Sequence, residues 1–129
     1  MNKRKLFIIL CSVILSLILA SCGKDQTNRF EGESDNWKGL YLLKQNEDNS
    51  EYGEGSLVYK GKEKLKKVVY KVEGEYGTMD GSVETPEDGK ITLNDSCSGC
   101  TKQSSNTPFH VTIEWNNHKE TFDLKNSQK

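Results

Sequence analysis

The chain contains a single alanine, Ala20, among its 129 residues, and every one of its 11 glycines lies beyond it. Alanine is the strongest helix former and glycine among the weakest. The long C-terminal part is therefore set against helices and toward strands and turns. Long apolar runs are equally scarce, with one only, Leu6 to Ala20. No Gly-rich phosphate loop and no nucleophile elbow occurs, and the acids from Glu47 to Glu54 do not follow a calcium-loop spacing. Basic excess is missing as well. Beyond residue 21 the formal balance is 15 bases minus 19 acids, or −4, which argues against nucleic acid as a partner.

What is present begins with an address. Lys3, Arg4 and Lys5 precede an apolar run broken only by Ser12 and Ser16, the layout of a secretory signal. A membrane-spanning helix needs about 20 apolar residues, and this run is shorter. It closes on Leu19-Ala20-Ser21-Cys22. These four residues resemble the lipobox of bacterial lipoprotein precursors: aliphatic, small, small, cysteine.

The resemblance covers the first 23 residues or so, and it implies three things. Cys22 carries a thioether-linked diacylglycerol, cleavage before it makes it the mature N-terminus, and the protein is held at the extracytoplasmic face of a cell membrane. Two acyl chains anchor stably where one is marginal, at about 0.8 kcal/mol per buried methylene. Without the lipid, the same segment is an ordinary secretory signal. Cys11 lies inside the run and leaves with it.

The expected organisation is a signal peptide over residues 1–21, a lipidated N-terminus and flexible tether over 22–36, and one β-domain over 37–126. In the tether region Phe30 is the single large apolar residue. About 14 such residues would span roughly 20 Å. The 108 residues from Cys22 onward hold 29 apolar or aromatic side chains, a supply suited to a thin core.

Strands are expected at Trp37 to Lys44, Gly53 to Lys60, Val68 to Val72, Met79 to Glu84 and Lys90 to Asn94, with a final hairpin from Phe109 to Leu124 around Asn116-Asn117. Pro86 to Gly89 marks a turn, and Asp95 to Thr107 reads as a polar loop. The fold class is all-β: an antiparallel β-sandwich of about seven strands, of the immunoglobulin-like kind, with a small β-barrel as the alternative. Trp37 to Tyr41, the Cys97-x-x-Cys100 loop and the aromatic hairpin together look like small lipoproteins of Gram-positive bacteria. That resemblance implies location and fold and carries no known activity.

Few side chains point to chemistry. In an exported domain Cys97 and Cys100 are expected to form a disulfide, with Gly99 at the third position of a type II turn. Redox chemistry by this pair would need a depressed thiol pKa, usually supplied by a helix N-terminus, and no helical pattern follows it. The order C-x₂-C-x₉-H-x₇-H superficially resembles a zinc site, yet His110 and His118 fall on opposite faces of their strands. No metal or other cofactor is expected. His110 reads as a surface residue, and Trp37 and Trp115 as core.

The Lys60 to Lys71 stretch is the most basic. Lys60, Lys62, Lys64 and Lys66 share a face if extended, facing lipid phosphates or an anionic wall polymer, or they blunt a sheet edge as a solvated hairpin. The expected function is a lipid-anchored, non-enzymatic binding or envelope-associated β-domain. Its contact surface is the lysine hairpin or the Cys97 loop, and its partner an envelope protein or wall polymer. The alternative is a thiol-disulfide protein acting through Cys97 and Cys100.

Overall fold

The computed structural model describes residues 2–19 and 25–128. Of the four residues that resemble a lipobox only Leu19 is described; Ala20, Ser21 and Cys22 lie outside the described residues. The apolar run forms helix α1, Lys3–Leu19. Among the described residues no helix is long and apolar enough to cross a membrane.

The remainder is all-β and antiparallel. Its eight strands are β1 Gln26–Glu33, β2 Trp37–Gln45, β3 Ser50–Tyr59, β4 Lys67–Glu73, β5 Thr78–Glu84, β6 Lys90–Ser98, β7 Phe109–Trp115 and β8 His118–Asn126. They form one sheet in the order β5-β4-β7-β8-β1-β2-β3-β6. The sheet curls until it is nearly a barrel, leaving β5 and β6 as its free edges. Its two arcs also face each other as the layers of a sandwich do, so both expected descriptions fit.

Two expectations need correction. Residues 26–33 are not a tether but strand β1, which pairs with β2 from Gln26↔Gln45 to Glu33↔Lys38 and with β8 at Phe30↔Asn126. Phe30 is fully buried and packs edge-on against Phe109, with ring centroids 4.9 Å apart. This strand looks polar because its outer face is charged and its inner face carries Asn28 and Gly32 beside Phe30. Gly32 is what lets the arcs join. A Cβ there would lie 1.9 Å from the carbonyl oxygen of Asp123, so any side chain would force β8 away from β1.

The second correction concerns the lysine stretch. Residues 60–66 form a loop rather than a hairpin, and the lysines do not share a strand face. Leu65 is the reason: it is buried among the core residues, drawing the chain back across one end of the barrel. Asn116 fixes it there, its side-chain amide donating to the Lys64 carbonyl (2.9 Å) while its Oδ1 accepts from the Lys66 amide (3.2 Å).

The β7–β8 hairpin has the expected turn, and its register runs from Trp115↔His118 to Phe109↔Leu124. Asn116 and Asn117 both take positive φ, 42° and 65°, which suits a two-residue hairpin loop. Phe109, Val111, Ile113 and Trp115 point inward with Phe122 and Leu124. Trp37 and Trp115 close the core at the lysine-loop end, with centroids 5.7 Å apart. Among the described residues their indole nitrogens have no hydrogen-bond partner, so both serve as apolar bulk.

Candidate functional site

Strand register places the site. Gln26 pairs with Gln45, Gln45 with Glu51, and Glu51 with Cys97. These four residues form a row across one end of the barrel. On the facing arc, that end carries the β4–β5 turn, where Glu73 pairs with Thr78, and the start of β7 at Phe109. A cleft of about 260 Å³ opens here between the two free edges. Leu43, Val72, Met79 and Phe109 give it apolar walls, and Tyr41, Glu51, Asp95 and Gln103 supply polar groups. Cys97 and Cys100 lie on its rim.

The two cysteines are disulfide-bonded, with Cα atoms 6.0 Å apart. Gly99 has φ +70°, the conformation the third position of a type II turn requires, and its amide donates to the Asn49 carbonyl (2.9 Å). Cys97 itself belongs to β6, which extends through Asp95–Ser98 rather than ending at Asn94. The expected polar loop therefore begins only after Ser98.

Gln103 holds the rest of that loop against the barrel. It is buried, and every polar atom of its side chain is used. Its Oε1 accepts from the Glu75 amide (2.7 Å) and its Nε2 donates to the Thr107 carbonyl (3.0 Å). Its own amide donates to Glu51 Oε2 (3.1 Å). Gln45 completes the frame by donating from Nε2 to both Glu51 Oε2 (2.6 Å) and the Gln103 carbonyl (2.8 Å). A buried polar network satisfied in this way rigidifies its surroundings, and the cleft mouth is built on it.

Tyr41 forms the floor. Only 2 % of it is exposed, its ring stacks edge-on against Phe109 with centroids 5.0 Å apart, and its hydroxyl rests over Gly53. A Cβ at Gly53 would lie 1.7 Å from that oxygen. Burial, together with the negative charges of Asp95 and Glu51, raises the phenol well above its ordinary pKa. It is neutral at every physiological pH. Among the described residues its hydroxyl has no hydrogen-bond partner, and no lysine, arginine or histidine lines the cleft.

The other residues singled out from sequence lie elsewhere. Lys60, Lys62, Lys64 and Lys66 are exposed at the opposite end of the barrel, where Lys60 Nζ pairs with Glu33 (3.1 Å). The two surfaces expected from sequence are therefore separated by the length of β1, about 24 Å at a strand rise of 3.4 Å per residue.

His110 pairs across the hairpin with Asp123, Nδ1 to Oδ1 2.7 Å, on the exposed outer face. No such carboxylate partner was identifiable from sequence. His118 sits at the far end of the same hairpin against the Trp115 ring. Among the described residues no group of three or more potential metal ligands occurs. Gln45, Gln103 and the buried phenol escaped sequence reading, since nothing local marks a polar residue as buried.

Comparison with family models, with curated proteins and with solved structures finds no match. The geometry of the chain alone carries the functional reading.

Proposed function

We propose that the chain is a lipid-anchored, extracytoplasmic, non-enzymatic binding domain whose ligand enters the cleft beside the disulfide. The observation that carries this reading is the cleft itself: a rigid polar frame around the Tyr41 hydroxyl, which lines the cleft without a hydrogen-bond partner among the described residues. The anchor rests on the resemblance of Leu19 to Cys22 to a lipobox.

Combined with the strand register, that anchor has a geometric consequence. Four residue steps separate Cys22 from Gln26, at most about 14 Å of fully extended chain. Gln26 stands at the cleft end of the barrel, so the cleft lies close to the bilayer. Lys60, Lys62, Lys64 and Lys66 then face outward, toward an envelope protein or an anionic wall polymer rather than lipid phosphates.

Metabolic labelling with palmitate and membrane fractionation test the anchor. The wild-type chain takes the label and sediments with membranes, whereas Cys22→Ala is unlabelled and leaves the membrane fraction. A Cys22→Ala chain that stays labelled and membrane-bound would refute it.

A second reading, thiol-disulfide exchange through Cys97 and Cys100, is favoured by one observation: both cysteines are only half-buried on the cleft rim, within reach of a small thiol. Against it, the pair sits in a strand-to-turn setting without the helix N-terminus that would depress a thiol pKa. Equilibration with glutathione buffers separates the readings. A structural bond stays closed until the potential falls below about −300 mV, and an exchange catalyst opens between about −230 and −120 mV.

A further inference from the structure

We propose that the cleft takes an alkylammonium group, its charge held by Glu51, Asp95 and the Tyr41 hydroxyl and its carbon stem laid on Val72, Met79 and Phe109. This deepens the reading of the cleft as a binding site and rests on it.

Register brings the polar groups together. Asp95 stands opposite Gly53, and Cys97 opposite Glu51, on neighbouring strands. Cross-strand partners and residues two apart project from the same face, so Glu51 and Asp95 flank the glycine over which the Tyr41 hydroxyl rests. Neither carboxylate forms an ion pair among the described residues. Glu51 Oε2 is occupied by Gln45 and Gln103, and Asp95 Oδ1 by the Ser96 amide (2.9 Å). Glu51 Oε1 has only the Cys100 sulfur near it, at 3.9 Å, and a disulfide sulfur has no hydrogen to donate. That leaves a carboxylate oxygen on each residue and the phenol oxygen as acceptors.

An alkylammonium offers three donors on a compact cation. Among the described residues no group of three or more potential metal-ligating side chains occurs. The apolar walls have no use in holding a metal, yet they suit a methylene chain. Size points the same way: about 260 Å³ is below the range of roughly 300–1,000 Å³ for drug-sized ligands. The guest is one small amine or one lysine side chain.

Titration of the full-length protein in detergent micelles, followed by amide chemical shifts of the cleft strands, tests this with n-butylamine, n-butanol and butyrate. Butylamine alone is expected to shift Gly53, Asp95 and Gln103. Asp95→Asn, a change at an exposed side chain, is expected to weaken it about tenfold, the worth of one charge-assisted hydrogen bond. Tyr41→Phe, which keeps the ring, weakens it as well.

A capped Gly-Lys-Gly peptide identifies the source. Tighter binding than butylamine assigns a lysine side chain, and weaker binding assigns a free amine. If butanol or butyrate shifts the cleft as strongly as butylamine, the ammonium assignment is overturned while the cleft remains a binding site. If none of the probes moves a cleft residue, both the assignment and the cleft reading fail.

Discussion

Gly53→Ala should destabilise the domain, although strand propensity predicts the opposite. Gly53 lies inside β3 with ordinary extended backbone, where replacing glycine by alanine stabilises by about 0.5–1 kcal/mol. The new Cβ, however, would stand 1.7 Å from the Tyr41 hydroxyl oxygen, 2.3 Å from Cζ and 3.0 Å from Cε2. Phe109, edge-on against the ring at 5.0 Å, limits how far it can retreat. Overpacking of this kind costs roughly 1–3 kcal/mol, which outweighs the propensity gain and leaves a net loss of about 1–2 kcal/mol.

For a domain of this size that is a fall in Tm of about 5–10 °C. A double-mutant cycle isolates the cause. Tyr41→Ala alone costs about 3–5 kcal/mol through the cavity it leaves. In that background Gly53→Ala should be neutral or stabilising, a coupling of at least about 1 kcal/mol. Denaturant melts of the four chains measure it. If Gly53→Ala stabilises the wild-type domain, or costs the same in both backgrounds, the packing of Tyr41 over Gly53 is refuted.

Replacing Cys97 and Cys100 together by serine should cost about 2 kcal/mol, since the closed loop is short, and the domain should still melt cooperatively; loss of the fold would show that the bond holds more than its turn. Burial holds the Tyr41 phenol protonated above its ordinary pKa of 10.0, so the unfolded chain releases this proton first and stability falls as pH rises past 10. The slope due to this residue is about 1.4 kcal/mol per pH unit, and melts of Tyr41→Phe at successive pH values should lack it. The hydrogen bond from Lys71, and secondarily its charge, holds Glu73 below the ordinary value of 4.5. The stabilisation is therefore present above that pH and lost as pH falls through the depressed value; an NMR titration should show Glu73 returning to the ordinary range in Lys71→Ala.

The sequence showed most where one face of a strand is apolar and the other polar. Phe109 to Trp115 alternates cleanly because that strand lies on the core on one side and on water on the other, and its Asn116-Asn117 turn follows from the same pattern. Strand β1 escaped notice because a single inward residue, Phe30, does the burying while Asn28 and Gly32 occupy the other inner positions. The end of β6 escaped for a related reason, as an edge strand near the barrel mouth can carry Asn94, Asp95 and Ser96 without penalty.

Leu65 was the signal missed in the lysine stretch. One leucine among lysines cannot belong to a solvated hairpin without leaving apolar surface in water. The disulfide turn was legible from Gly99 and the spacing alone. The frame of Gln45, Gln103 and Glu51 was not, since its members are far apart in the chain and meet only through the fold.

The proposed anchoring through Cys22 stands or falls on how the barrel is oriented at a membrane. Nitroxide labels at Tyr76, on the β4–β5 turn beside the cleft, and at Lys62, on the lysine loop, can be read by electron paramagnetic resonance in membranes carrying the full-length protein. Relaxation by oxygen, which concentrates in lipid, and by a water-soluble nickel chelate reports the distance of each label from the bilayer. The label at Tyr76 should lie at the lipid interface and the label at Lys62 in bulk water. Equal access of the chelate to both sites, or a lysine loop nearer the lipid than the cleft, would contradict a domain anchored through Cys22 with its binding cleft toward the membrane.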